Sequence, residues 1–411
     1  MATGISTGKW KGEKIIPYAE TLGSIELQYA GKQSTESILA SPAAQTELKE
    51  VVGASTGENR IYFGENLAVM AGLLKDPSVC GKVQLFYIDP PYATQAVYHS
   101  RSEKAAYIDL LRGPDYIEFL RARLILIREL LSDEGSLYLH LDENMAFFAK
   151  IVCDEVFGRK NFRNWITRKK CNTKNFTKHQ YGNISDYILF YSKTDQYIWN
   201  QPRKTWDADA IVREYSYIDK DGRRFKKVPV HAPGERNGET GKPWRGKSPP
   251  KGKHWQYAPS TLDEMDKRGE MFWSKNGNPR RKIFFDVQSA GIPLQDIWMD
   301  FKDAHNQNIK ITGYPTEKNF DMLKVIVAAS STASGLVADC FMGSGTTLEA
   351  AEELGRNWIG IDNSEEALAV TKRRLLHGRQ PMGDFVGAPS PQLEMDVGTE
   401  SKVKFRVFVT K

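Results

Sequence analysis

Apolar runs of strand length alternate with amphipathic stretches of helical period in two separated parts of the chain. In the first part, residues 60–66 read as a strand ending in a turn, and residues 67–75 as an amphipathic helix. Residues 83–88 form a mostly apolar run bounded by prolines, the pattern of a buried strand. Residues 116–131 then place Leu120, Leu124, Ile127, Leu130 and Leu131 on one side of a helix. Asp133-Glu134-Gly135 ends it, 136–142 is the next strand, and 145–157 a further helix closed by Gly158. In the second part, a strand over 335–341 runs into a glycine turn at 342–347. A helix over 348–354 and a strand over 358–362 follow. Strand, helix, strand, helix at this spacing predicts a parallel α/β sheet. His140, on a strand flanked by helices, is expected to be a packed core residue.

Between these parts the rhythm changes. Residues 161–170 and 185–191 predict two strands, hairpin-like, with a basic loop between them. From 195 to 308 the α/β pattern disappears into short segments rich in Gly, Pro, Trp, Lys and Arg, which predicts an inserted, loop-rich module. The first 58 residues are a weakly patterned arm, with a short strand expected at 25–29 and a brief helix at 34–39. After His377 the chain is Pro- and Gly-rich, and 403–409 alternates like an edge strand. The expected boundaries are therefore 1–58, 59–194, 195–308, 309–379 and 380–411, the second and fourth being two halves of one sheet.

Composition excludes several classes. A chain of 411 residues with 26% charged and 11% aromatic residues has ample core and is not the composition of a disordered protein. Residues 1–9 lack the apolar run of a signal peptide, and no stretch approaches a membrane span. Cys80, Cys153, Cys171 and Cys340 are scattered without Cys-x-x-Cys pairing, and the seven histidines form no ligand-spaced pair. A soluble, cytoplasmic, metal-free protein is expected. The net charge of +6 is unevenly spread: from Arg159 to Trp255 there are 23 Lys or Arg against 9 Asp or Glu. One basic third on an otherwise acidic body is the footprint of a polyanion-binding region. Candidate contacts are Arg168, Lys169 and Lys170, and the basic, aromatic stretch containing Trp244, Arg245, Lys247, Lys251 and Lys253.

That stretch holds a decoy. Residues 241–248, Gly-Lys-Pro-Trp-Arg-Gly-Lys-Ser, match the phosphate-loop pattern letter for letter. The mechanism needs an apolar strand before the loop and a helix after it. Here a polar segment precedes, and Pro249-Pro250 forbids the helix.

The candidate chemistry sits where the strands stop. Residues 83–88 end abruptly in Asp89-Pro90-Pro91-Tyr92. The prolines stiffen the exit and place a carboxylate, a carbonyl and a ring at the carboxyl end of a strand, where open α/β sheets bind ligands. Two acceptors, Asp89 and the Pro90 carbonyl, suit an exocyclic amine, and Tyr92 suits stacking on the base that carries it. The polar loop 93–104, with Tyr98, His99 and Arg101, adjoins this site. The second strand–turn–helix unit carries Gly343 and Gly345, which let a ligand approach the backbone, and Asp362 closes the following strand, where an acid can hold ribose hydroxyls. On this segment alone an NAD-dependent oxidoreductase is a rival, although the third glycine of the dinucleotide fingerprint is missing.

The two motifs together resemble those of the amino-methylating DNA methyltransferases. Asp89-Pro90-Pro91-Tyr92 matches the family's Asp-Pro-Pro-Tyr signature. Residues 339–347, with Asp339, Phe341, Gly343, Gly345 and Thr346, resemble the donor motif Asp-Pro-Phe-x-Gly-Ser-Gly-Thr-Thr, with Cys340 in place of Pro. Residues 312–318 resemble the segment covering the donor's methionine end, which brings in Glu317 and Lys318, with Asn319 where Pro is usual. Glu65 stands where the family often has the Asp that approaches the donor's adenosine. The resemblance runs from about Arg60 to His377. It implies a Rossmann-like, S-adenosylmethionine-dependent methyltransferase sheet with an inserted target-recognition module acting on double-stranded DNA. The order of motifs marks the β class, which includes modification subunits of type III restriction systems, so a restriction subunit and a second copy are candidate partners. Asp at the head of the signature favours adenine N6 over cytosine N4 by family habit, and the absence of a Pro-Cys pair disfavours methylation at cytosine C5. A catalytically silent DNA-binding protein on the same fold is the remaining alternative.

Overall fold

A computed structural model describes residues 25–53, 59–91, 113–172, 179–286, 291–303, 310–311, 317–381 and 403–411. The chain divides into two compact units, one formed by residues 1–202 and 295–411, the other by residues 203–294.

The first unit is built on a ten-stranded sheet. Its strands in chain order are β1 (Thr46–Val52), β2 (Arg60–Phe63), β3 (Val83–Ile88), β4 (Leu131–Leu141), β5 (Phe162–Lys169), β6 (Ser185–Ser192), β7 (Ile297–Trp298), β8 (Leu336–Asp339), β9 (Asn357–Asp362) and β10 (Phe405–Thr410). In space they run β1-β10-β2-β9-β8-β3-β4-β6-β5-β7. From β10 to β4 every neighbouring pair is parallel, and β6 enters antiparallel to both β4 and β5. Burial of both faces explains the near-continuous apolar runs: β3 and β8 are buried at almost every position. The helices are α1 (Thr35–Leu39), α2 (Asn66–Leu73), α3 (Pro114–Leu130), α4 (Ala146–Phe157), α5 (Phe320–Ser330), α6 (Thr346–Glu353) and α7 (Glu365–His377). The core joins the buried side of α3, including Leu120, Leu124, Ile127 and Leu130, to Phe86 and Ile88 of β3.

The topology fixes the place of the site. From β3 the chain goes through α3 to β4 on one side, and from β8 through α6 to β9 on the other. β3 and β8 are adjacent and parallel, so connections leave the same edge in opposite directions. A crevice opens at the carboxyl ends of strands at such a switch point. Asp89 follows β3, and Asp339 and Asp362 close β8 and β9.

Several sequence expectations shift. Residues 25–29 form no strand, whereas 35–39 are helical behind a Ser34 cap. The turn expected at Asp133-Glu134-Gly135 lies inside β4 as an irregularity, because pairing with β3 slips between Leu131 and Ser136. Residues 195–202 and 295–303, placed by sequence in the insert, cluster with the first unit, and β7 extends the sheet beside β5. β10 is not an edge strand. It lies between β1 and β2, and the edge is β1, which is mostly exposed.

The second unit has its own small core. Strands Met271–Trp273, Pro279–Phe284, Arg224–Pro229 and Tyr217–Ile218 form an antiparallel sheet in that order, and His231–Pro233 pairs with Lys253–Trp255. Val230, Trp244, Trp255, Leu262, Met265 and Met271 pack together as its centre. The phosphate-loop look-alike is a two-residue hairpin turn: Arg245 and Gly246 both have positive φ, and Trp244 and Lys247 exchange backbone hydrogen bonds. The strand Lys253–Trp255 follows it where a nucleotide-binding loop would need a helix.

Candidate active site

β3 delivers Asp89 half-buried at the mouth of the crevice, with Pro90 buried and Pro91 half-buried behind it. The Lys318 ammonium lies 2.9 Å from Asp89 Oδ2. Tyr92, the loop 93–104 and residues 312–316 lie outside the described residues.

Two further carboxylates close the next two strands of the sheet, Asp339 on β8 beside β3 and Asp362 on β9 beyond it. Asp339 is buried, and accepts hydrogen bonds from the Phe341 N–H (2.9 Å) and the Thr347 hydroxyl (2.6 Å). Burial pushes its pKa up to about 7, against the pull of those two donors. Asp362 is also raised by burial. Its two oxygens accept from the N–H groups of Gly343 and Ser364, each at 2.9 Å, which leaves lone pairs for hydroxyl donors.

The turn between β8 and α6 is shaped as a cradle. Gly345 caps α6 in the left-handed region at φ 73°, and a Cβ added there would lie 2.7 Å from Thr371. Only glycine fits this position. The first N–H groups of α6 have no partners within the helix, as at any helix start, and they begin at the crevice. The Thr371 hydroxyl donates to the Gly343 carbonyl at 2.9 Å and holds the turn from the α7 side. These features fit a nucleoside-bearing donor: hydroxyl acceptors at Asp362, and backbone open to close approach at residues 343–345.

Not every predicted donor contact faces the crevice. Glu317 is buried and pairs with Arg374, itself almost fully buried, whose guanidinium also reaches Glu349 Oε2 at 2.9 Å. The Thr346 hydroxyl accepts from Arg374 at 3.0 Å and neighbours Ser344. Glu317 and Thr346 therefore hold α6, α7 and the entry to α5 together. Glu65 caps α2 by accepting from the Ala68 N–H at 2.9 Å, and pairs with Arg123. Arg123 in turn donates to Asn66, which donates to the Cys340 carbonyl at 2.7 Å and so ties α2 and α3 to the donor turn. Phe341 lies 6.0 Å from Phe119 of α3, between ring centres. Asn319 caps α5 by accepting from the Met322 N–H at 3.0 Å, a role proline could not fill.

Sequence reasoning missed a buried polar layer next to Asp89. The Tyr87 hydroxyl contacts His140 Nδ1 at 2.7 Å, and His140 Nε2 is 2.9 Å from Asp186 Oδ2. Arg168 reaches the same Asp186 oxygen at 2.8 Å, Asp303 at 2.5 Å and the Phe301 carbonyl at 2.6 Å. Burial raises the Asp186 pKa, but the contacts with His140 and Arg168 outweigh it and hold the carboxyl well below the usual range. His140 is a packed core residue, as expected. Arg168 is fully buried and is not a DNA contact. The signal in sequence was weak: a basic end of a strand looks the same whether it turns out or in.

In the second unit Trp244 is likewise buried, its Nε1–H donating to Asp263 at 3.0 Å, so it builds the core instead of a DNA face. Arg245 pairs with Asp263 and Asp266, and Lys247 donates to the Asn276 carbonyl at 2.8 Å. Lys251 and Lys253 are exposed, and Lys169 and Lys170 are half-buried. Among the described residues no group of His, Cys, Asp and Glu could hold a metal ion, and no helix is long and apolar enough to cross a membrane.

The family model for DNA methylases matches residues 83–373. The chain is 52% identical to the type II methyltransferase M.EcaI of Enterobacter cloacae over 305 residues, which cover 74% of this chain and 67% of that one. It is 24% identical to the StyLTI Mod subunit of a type III restriction-modification enzyme of Salmonella typhimurium, over 79% of this chain but only 54% of that protein. Among solved structures, the M1.HpyAVI–SAM complex aligns over 77% of this chain and 98% of that one, at 15% identity and a TM-score of 0.43. The chain belongs to the N6/N4 family of S-adenosylmethionine-dependent DNA methyltransferases.

Proposed function

We propose that this protein is a site-specific DNA methyltransferase that modifies the N6 amine of adenine. The observation that carries the proposal is an aspartate, Asp89, at the head of a Pro-Pro-Tyr exit from β3, at the same sheet edge as the glycine cradle of β8 and α6. S-adenosylmethionine supplies an electrophilic methyl group when bound. Asp339 and Asp362 fix its cradle, with Asp362 as acceptor for ribose hydroxyls. The target adenine is flipped out of the duplex and stacks on Tyr92. Asp89 and the Pro90 carbonyl accept the two amine hydrogens, so the nitrogen becomes tetrahedral and its lone pair is available. With the donor bound, that lone pair would take up the methyl group while the S–C electron pair stays on sulfur, and the excess proton then carried by the amine would be released to solvent. The second unit serves target recognition, with exposed lysines on phosphates. A restriction subunit is a candidate partner, since Mod subunits of type III enzymes are among the relatives.

The test is direct. Purified protein, mixed-sequence duplex DNA and labelled S-adenosylmethionine are incubated, and the DNA is digested to nucleosides for mass analysis. N6-methyladenine is expected, and Asp89→Ala should abolish it while donor binding persists. N4-methylcytosine would keep the mechanism and overturn the base assignment.

A further inference from the structure

The four-stranded sheet of the second unit has two faces of different character. Residues directly opposite across a ladder share a face, and alternate residues along a strand return to it. Tyr217 and Phe284 both lie opposite Phe225, Lys227 lies opposite Lys282, and Phe272 lies opposite Arg280. These side chains therefore belong to one side. Met271 and Trp273 belong to the other, where they join Leu262 and Met265 of the helix Pro259–Lys267 in the core. The first face reaches solvent: Tyr217 is 44% exposed, and Arg280 and its partner Pro229 are exposed as well.

That face carries more positive charge than the fold needs. Lys227 and Lys282 stand directly opposite each other, an arrangement that costs stability between like charges, and Arg280 is two residues from Lys282 on the same side. Asp219 takes Lys282 at 2.9 Å, and Asp221 takes Arg223, whose guanidinium lies 4.0 Å over Phe284. Among the described residues no carboxylate pairs with Lys227 or Arg280. The Lys227 ammonium sits instead between the rings of Tyr217 and Phe272, 3.4 and 3.5 Å from their centres. The rings fix its position and leave its charge unmatched, so little side-chain freedom remains to be lost when an anion arrives. The basic track continues past the sheet: His231 is held below its usual pKa by burial and then by Lys253 and Arg280, both near it. We infer that this face of the second unit lies along the sugar-phosphate backbone of duplex DNA, with Lys227 and Arg280 as phosphate contacts continuous with Lys253. The inference rests on the reading of the second unit as the target-recognition module, and it gives that module a surface that holds the backbone without reading bases.

Lys227→Met keeps an apolar stem between the rings and removes the charge, and Arg280→Gln alters an exposed side chain that has no ion-pair partner among the described residues. Anisotropy titrations of the full chain with mixed-sequence duplex DNA over a range of salt are the measurement. Each variant should lower the slope of log affinity against log salt by about 0.9 in magnitude, and the double variant by about 1.8. The loss should be the same for duplexes of unrelated sequence, because a phosphate contact reads no base. Lys267→Gln, which removes a cation from the helix packed on the opposite face, should keep the wild-type slope. Wild-type slopes for both Lys227→Met and Arg280→Gln, or an equal fall with Lys267→Gln, overturn the assignment of this face and leave the module's role intact. A fall confined to single-stranded DNA overturns it too, since the rings would then be a stacking platform for unpaired bases. If Lys227→Met unfolds the second unit, seen in its tryptophan fluorescence, Arg280→Gln decides by the same slope. A wild-type protein with no salt-dependent hold on duplex DNA overturns the target-recognition reading itself, and the inference with it.

Discussion

Asp339 carries a thermodynamic signature of its own. Its carboxyl is pushed up to about 7 by burial, above the range of an aspartate in the unfolded chain. Between about pH 4 and pH 7 the native protein keeps a proton that the unfolded chain has released, so stability falls as pH rises through that window and levels off above it. Asp339→Asn cannot titrate there. In urea melts across pH, the stability difference, wild type minus variant, should decline from about pH 4 to about pH 7. A flat difference would show that the carboxylate is ionised throughout. Arg168 yields a prediction of the opposite kind. A DNA contact could be removed with little loss of stability, but Arg168 is fully buried against Asp186 and Asp303. Arg168→Ala leaves those acids without their cation and should cost about 3–5 kcal/mol in urea unfolding. A variant as stable as wild type would return Arg168 to the surface.

At the scale of elements, β10 shows what the chain's pattern can and cannot say. Its alternation marks a strand, and Phe405 and Val407 are indeed buried. Alternation does not name neighbours, and β10 pairs with both β1 and β2, far away in sequence. Phe405 lies 5.7 Å from Trp358 and Phe408 stacks on Tyr62 at 5.0 Å, between ring centres, so the strand completes the core on the β2 side. Phe405→Ala should destabilise the first unit by about 3–5 kcal/mol, measured by denaturant unfolding. An edge strand would tolerate the change far better. The same contrast governs the site. Asp89 and Asp362 were legible because each ends an apolar run at the carboxyl end of a strand, where polar chemistry has its place, whereas Asp339 fell inside the strand expected over 335–341 and came only from the donor-motif resemblance. Arg374, Thr371 and the His140–Asp186 layer were not, because each is placed by packing between elements distant in the chain. Glu317 was legible by motif but not by role: the same letters leave open whether a carboxylate faces a ligand or a buried arginine.

For the molecule as a whole, charge separates the tasks. The basic balance between Arg159 and Trp255 suggested many phosphate contacts, yet the structure withdraws several of these cations. Arg168 is buried, Arg245 is matched by Asp263 and Asp266, and Lys247 is engaged with a turn. Lys251 and Lys253 remain exposed on the second unit, which keeps a core of its own under them. Each lysine that neutralises a phosphate releases counterions, and the slope of log affinity against log salt falls in magnitude by about 0.9 for each such contact removed. Replacing both by Ala should therefore lower the slope for mixed-sequence duplex DNA by about 1.8, read by anisotropy titrations over a range of salt. The affinity for S-adenosylhomocysteine should stay unchanged, because the donor cradle is built from β8, α6 and β9 of the other unit. An unaltered slope would move the phosphate contacts off this loop, and a loss of donor binding would show that the two units are energetically coupled.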